Sequence, residues 1–235
     1  MTAEAMLNAR EAFASAIGLD PNYSRARSGK ALTYSLGLRF LGEADRENGV
    51  HNLMAEARKA VELDDADSKA HVTLALAYMY TTPSQSSFAV AEANDAVALN
   101  PDDPQANSVL GVALALSANQ FDDGALWIEK AVTINPLDPI NHIYLSQLAL
   151  AHLCAERYEK AVEVAEEAIR RRPGFIESHI ALASACGYRG RYDDARTAIG
   201  EFEDVAQGFV RQHLVFSQDV KAHIILGLDR ATLGN

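Results

Sequence analysis

The sequence predicts an all-α protein, a right-handed solenoid of stacked helical hairpins, and three observations predict it. A short motif is written five times: AIGLDP at 16–21, AVELDD at 60–65, AVALNP at 96–101, AVTINP at 131–136 and AIRRRP at 168–173. Its start points lie 44, 36, 35 and 37 residues apart, and a near-constant period of this size marks an array of helical repeats. Fixed chemistry recurs at fixed offsets. Nine residues past each motif stand Lys30, Leu74, Leu110, Leu145 and Leu182, and one further on stand the small residues Ala31, Ala75, Gly111, Ser146 and Ala183. Finally, apolar residues three or four apart lead into each motif, as one face of a helix requires.

Each motif closes a helix, and in the four that end in proline the residue before it is pushed out of the α region. The opening element, 1–21, reads as half a repeat: a single helix over 4–19 with Phe13, Ala16 and Ile17 on its apolar face. It is either a solitary cap or the continuation of a longer protein. With no partner helix for Met6 and Leu7, this end is expected to fray over residues 1–8 or to self-associate. The first full repeat, 24–65, is the longest, with a period of 44 residues against 35–37 in the others, and LRFLGEADRENGVHNLM predicts an extended first helix and a loop around Glu43 to Gly49. Lys30 takes a position that elsewhere holds leucine, so its stem is expected to snorkel. Repeat 68–101 follows, its turn widened by TTPSQSS at 81–87.

Repeats 104–136 and 139–173 open on Asp103-Pro104 and Asp138-Pro139, each an N-cap followed by proline at the first helical position. Small residues midway, Gly124, Ala161 and then Ala195, let the two helices of a hairpin approach closely. The last repeat spans 176–209, where Phe202 stands at a position that favours alanine. The tail, 210–235, carries Val220, Ile224, Ile225 and Leu228 at helical spacing and reads as a helix capping the last hairpin.

These offsets resemble the tetratricopeptide repeat (TPR), most clearly in HIALASACGYRGRYDDARTAI at 179–199 and also in NSVLGVALAL at 107–116. The resemblance covers roughly 24–200. It implies a binding groove lined by the first helices of the hairpins. Carried over position by position, that groove comprises Lys69, Val72, Leu76, Met79 and Tyr80; then Gln105, Ser108, Val112 and Leu116; then Ile140, Ile143 and Gln147; and finally Glu177, Ile180 and Tyr188. The Lys and Asn clamp that the family uses on a C-terminal carboxylate is missing, with Val72, Leu76, Ser108, Val112 and Ile143 in its place. An apolar groove suits an amphipathic helix or an extended peptide. The competing reading is that these residues pack against one another.

The chain also resembles the C-terminal TPR region of bacterial class III adenylate or guanylate cyclases, in LDPNYSRA near its start and ILGLDRATLG near its end, where Gly227, Leu228 and Arg230 echo the family's closing sequence. That resemblance implies a regulatory array in a signalling protein whose catalytic domain lies elsewhere. Similar arrays follow the winged-helix domain of some bacterial transcription regulators, and a stand-alone peptide-binding scaffold or assembly factor is the other alternative.

Composition narrows the partners. A net charge of −11 and a pI of about 5.0 disfavour nucleic acid and anionic membrane, both of which need clustered Lys and Arg. Two cysteines, Cys154 and Cys186, form no disulfide framework and fit a reducing, cytoplasmic setting; both read as small apolar residues. No catalytic constellation, cofactor motif or metal pair is present in the sequence. His71, His142 and His179 share one repeat position, and stacked repeats hold such residues too far apart to meet on one ion, so each is expected to pack within its own hairpin. A protein or peptide partner is the expectation.

Overall fold

The computed structural model describes residues 3–38, 43–81, 85–213 and 215–233. Among these the secondary structure is helical throughout, with no strand: α1 (Ala3–Leu19), α2 (Ser24–Gly37), α3 (Glu43–Leu63), α4 (Ser68–Tyr80), α5 (Ser86–Leu99), α6 (Pro104–Val112), α7 (Phe121–Ile134), α8 (Asn141–Cys154), α9 (Tyr158–Arg171), α10 (Ile176–Tyr188), α11 (Tyr192–Ile199), α12 (Glu203–Gln212) and α13 (Gln218–Leu233). A π-helical turn, Ala113–Ser117, extends α6, and a 3-10 turn, Gly200–Phe202, precedes α12. All five motifs close a helix, and each of α1, α3, α5, α7 and α9 ends on the fourth motif residue. The chain divides into two compact units, Met1–Val109 and Leu110–Asn235.

Each motif also supplies a main-chain acceptor to the next helix. Six residues beyond its carbonyl, a side chain on the following helix donates back: Arg27 Nη2 to Pro21 O (3.0 Å), His71 Nε2 to Asp65 O (2.8 Å), Asn107 Nδ2 to Pro101 O (2.9 Å), Asn141 Nδ2 to Asn135 O (2.7 Å) and His179 Nε2 to Pro173 O (2.6 Å). Chemically different donors thus fasten each junction to a carbonyl of the turn that follows the helix.

In unit 1, α1 packs on α2, α2 on α3, α3 on α4 and α4 on α5. The Phe13 ring lies where a Cβ on Gly29 would stand, so only glycine lets α1 and α2 come this close. Met6 is buried at 4% exposure, whereas Leu7 is 54% exposed; α2 therefore covers one of the two residues expected to lack a partner. The loop expected around Glu43 to Gly49 is instead helix. Gly49, Leu53, Ala57 and Ala60 are buried at helical spacing, so one stripe continues through the segment and carries the helix with it. Residues 39–42 and 82–84, parts of the expected extended helix and widened turn, lie outside the described residues. Lys30 does snorkel, to a specific partner: its Nζ lies 2.7 Å from Glu56 Oε1, and Arg27 Nη1 lies 3.0 Å from Glu56 Oε2.

In unit 2, the π turn packs on α7, α7 on α8, α8 on α9, α9 on α10 and α10 on α11. Two helices cross closely at Gly111 and Gly124. A Cβ on Gly111 would sit 2.5 Å from Ile128 Cγ1 and 2.6 Å from the Gly124 carbonyl oxygen, closer than packed atoms tolerate. Three first helices end alike, on a residue with positive φ: Asn119 (59°), Glu156 (57°) and Gly190 (70°). The next N–H then reaches back, Arg157 to His152 O and Arg191 to Cys186 O, both at 2.9 Å. These are Schellman closures. Gln120 reaches one residue further back, to Leu114 O at 2.8 Å, because the π turn holds one extra residue. Pro104 opens α6 as expected, with Asp103 accepting from Gln105 N. Asp138 instead caps a preliminary turn by accepting from Ile140 N, and α8 starts only at Asn141.

Candidate functional site

Unit 1 holds an open cleft of about 420 Å³. Its apolar walls are Phe13 of α1, Leu32 of α2 and Val72 of α4, and Arg25, Asp67, Lys69, Asp103 and Gln105 supply polar groups. The helix starts position these groups. Asp67 is the N-cap of α4 and accepts from Lys69 N at 3.1 Å, so it is held rigidly beside the cleft. Lys69 Nζ lies 2.8 Å from Asp103 Oδ2 and 2.9 Å from Gln105 Oε1, while Arg25 Nε lies 3.8 Å from Asp67 Oδ2. The hydroxyls at the cleft are engaged: Ser28, Ser68 and Thr73 donate to the Arg25, Ala96 and Ala70 carbonyls. The arrangement offers an apolar floor beside charges of both signs, which is a surface for holding a side chain and its flanking backbone.

Three of the residues expected in the groove, Lys69, Val72 and Gln105, line this cleft. Leu76 is half-buried, and Tyr80 and Ser108 are buried. Met79 and Val72 are fully buried at 0% exposure, so both side chains pack in the unit 1 core. In unit 2, Val112, Leu116, Glu177 and Ile180 are buried, Ile143, Gln147 and Tyr188 are half-buried, and Ile140 is exposed. Sequence reading missed Phe13, Arg25, Leu32 and Asp67 at the cleft. Asp67 was within reach, since it stands two residues before Lys69 just as Asp103 stands two before Gln105.

The face of α10 in unit 2 is covered by the tail. Helix α13 packs on α10 and α11 and touches α8. Ser184 Oγ donates to Ile224 O at 3.0 Å and Tyr188 Oη to His223 O at 2.9 Å. Tyr158, Tyr188 and His223 form a stack, with centroids 4.7 Å and 4.6 Å apart, and the Arg230 guanidinium lies 4.6 Å from the Tyr188 centroid. Burial pushes the Tyr188 phenol up to about 12. Glu177 Oε1 lies 3.6 Å from His213 Nε2.

The three histidines each have their own separate partners. Besides its bond to Asp65, His71 places Nδ1 2.8 Å from Glu92 Oε2; His179 Nδ1 meets Ala198 O at 2.6 Å; and His142 Nδ1 meets Pro139 O at 3.0 Å. The structure does bring together one set of donors that the sequence did not suggest: ligand atoms of His71, Glu92 and Asp95 lie within 4.8 Å of one another. Both ring nitrogens of His71 are already engaged in hydrogen bonds, which account for the cluster. Cys154 and Cys186 are buried, and burial pushes the Cys154 thiol up to about 12 and raises that of Cys186. Among the described residues, no helix is long and apolar enough to cross a membrane.

The tetratricopeptide repeat family matches residues 85–139 and 146–201. Those two segments are tetratricopeptide repeats. No curated protein sequence matches it. Among solved structures, its fold is similar to that of the APC/C hetero-tetramer Cut9–Hcn1, at 15% identity and a TM-score of 0.70, covering 97% of this chain and 40% of that one. It is similar too to PilW, a widely conserved type IV pilus biogenesis factor, at 18% identity, TM-score 0.63 and 90% of each chain. PilF of Pseudomonas aeruginosa matches at 18% identity and TM-score 0.58, over 87% of this chain and 90% of that one. At these identities the likeness is one of fold.

Proposed function

We propose that the chain is a non-catalytic protein-interaction module that binds a peptide segment of a protein partner in the unit 1 cleft. The observation that carries this is the cleft itself, with the half-buried Phe13 and Leu32 as its floor, Lys69 and Gln105 at its side and its hydroxyls all engaged by backbone carbonyls. An apolar side chain of the peptide fits the floor, and its flanking polar groups meet Lys69, Asp67 and Arg25. A reducing, cytoplasmic setting belongs to the same proposal and rests on the two buried thiols. Of the pair Met6 and Leu7, only Leu7 is exposed to support self-association through α1, since Met6 is buried. Membership of a nucleotide cyclase or another signalling protein rests on the sequence echo in the tail, and Gly227 has a packing role of its own against Ser184.

Selection of a displayed random-peptide library on the purified chain tests the proposal. Peptides with an apolar anchor beside a charged residue should be enriched. A Leu32→Asp, Lys69→Glu variant should bind them at least tenfold more weakly while keeping its helicity. Equal binding by wild type and variant, or no enrichment, would overturn the assignment.

A further inference from the structure

We propose that the tail from His213 to Ala231 is an internal ligand of unit 2: α8 and α10 form a site for an amphipathic helix, and α13 occupies that site until a partner helix of the same pattern displaces it. The inference rests on the interaction-module reading, but it concerns a different surface from the unit 1 cleft and can fail independently of it.

A helix that only capped the last hairpin would touch α10 and α11. This segment reaches back across three successive first helices. Ser217 N donates to Leu116 O at 2.8 Å at the end of the π turn, His223 Nε2 donates to Leu153 O at 3.1 Å near the end of α8, and Ile224 O accepts from Ser184 of α10. Ser217 Oγ and Asp219 also hold Asn119, at 2.6 and 3.0 Å. Leu116 and Tyr188 are positions where the repeat pattern places a partner, so the tail stands where a partner would.

The contact also defines what fits. Val220, Ile224, Leu228 and Ala231 are buried, while Ala222 and Leu226 on the other face are exposed, giving an apolar stripe of the kind helix-in-groove recognition uses. The closest point of approach is between two glycines. A Cβ on Gly187 would collide with the Gly227 carbonyl oxygen, and a Cβ on Gly227 would lie 2.8 Å from both Ser184 Cβ and Ser184 O. The site therefore selects the pattern Val-x3-Ile-x2-Gly-Leu-x2-Ala, with glycine obligatory at the crossing. His213 and residues 215–217, between α12 and α13, are non-helical, so α13 can leave without unwinding a continuous helix.

Gly227→Leu in the full chain should expel α13 while leaving the α8–α10 surface unaltered. A fluorescent peptide of residues 215–233 should then bind that variant at least tenfold more tightly than the wild-type chain, whose site is filled, and the same peptide carrying Gly227→Leu should bind neither. In the wild-type chain, amides of 221–231 should exchange with deuterium at least tenfold faster than those in the middle of α8 and α10, which reports on release without any substitution. Equal peptide binding by both chains, collapse of α8–α10 helicity in the variant, or exchange of α13 together with α10 would each show that the tail is a fixed part of the fold and overturn the proposal. Binding of cleft-selected peptides in the same samples reads the unit 1 surface separately.

Discussion

The ring of Tyr188 lies on that of His223, 4.6 Å apart and 16° from parallel, and its hydroxyl donates to the His223 carbonyl. Burial, assisted by Arg230, holds the His223 imidazole below its usual range against the pull of the Leu153 carbonyl and Glu156. Its neighbour in unit 2, His152, is pushed down to about 4 by burial and by the cations Arg157 and Lys160, with Asp122 opposing. Both groups bind protons more readily in the unfolded chain, so their contribution is complete above the ordinary histidine range and is lost as pH falls below it. Between pH 7.5 and 5, unit 2 should lose about 2 kcal/mol through His152 alone. Trp127, the sole tryptophan, lies in α7 of this unit, so the urea midpoint of its fluorescence measures the loss. His152→Gln should flatten the pH dependence.

Unit 1 should respond in the opposite sense at His71. Burial lowers this imidazole, but the Asp65 carbonyl and the Glu92 carboxylate outweigh burial and raise it overall. Both ring nitrogens face acceptors, so both must carry a proton to satisfy them. This contribution is fully present below the ordinary histidine range and is lost as pH rises through the raised value. A histidine titration by NMR should give His71 a midpoint above that of an unstructured histidine, and Glu92→Gln should bring it down.

Glu56 neutralises two cations at once, with its side chain only 16% exposed. Glu56→Ala should destabilise the α2–α3 pair by about 1–3 kcal/mol, because Lys30 and Arg27 are left partly desolvated without a counter-charge. Faster amide exchange across α2 reports the loss. Adding Lys30→Leu, which restores the residue type of the other repeats, should recover part of it.

The strained end of α8 offers a gain. Glu156 adopts φ 57° at a closure where Gly190 serves in the next hairpin. Glu156→Gly should raise the stability of unit 2 by about 0.5–1 kcal/mol, since a left-handed conformation is costly for a residue with a side chain. The same urea titration measures it, and an unchanged or lower midpoint would show that the lost Glu156 side chain outweighs the strain.

The helix ends and the small interhelical positions were legible because they depend on local chemistry. A proline stops a helix wherever it occurs, and an alanine or glycine recurring at a fixed offset has few uses other than close packing. What was not legible depends on distant parts of the chain. Met79 looks like a groove residue from its repeat position, but the packing around α4 buries it. Lys30 looks like a flaw until Glu56, 26 residues away, is seen beside it. Three histidines stood out as an aromatic pattern, whereas the shared property is a side-chain donor six residues beyond a motif carbonyl, which Arg27, Asn107 and Asn141 also provide. The cap expected at the tail is a helix, but its reach to Leu116 depends on a crossing of two glycines that no local pattern announces.

Those five junction bonds have a consequence for how such a chain can lengthen. The acceptor is always a main-chain carbonyl, which every amino acid carries, and the donor lies on the hairpin that follows. A duplicated hairpin therefore arrives with its own donor and finds an acceptor already waiting, whatever sequence precedes it. Copy number can change by gene duplication without compensating substitutions at the seams, and the chemistry of each seam is then free to drift among guanidinium, imidazole and amide.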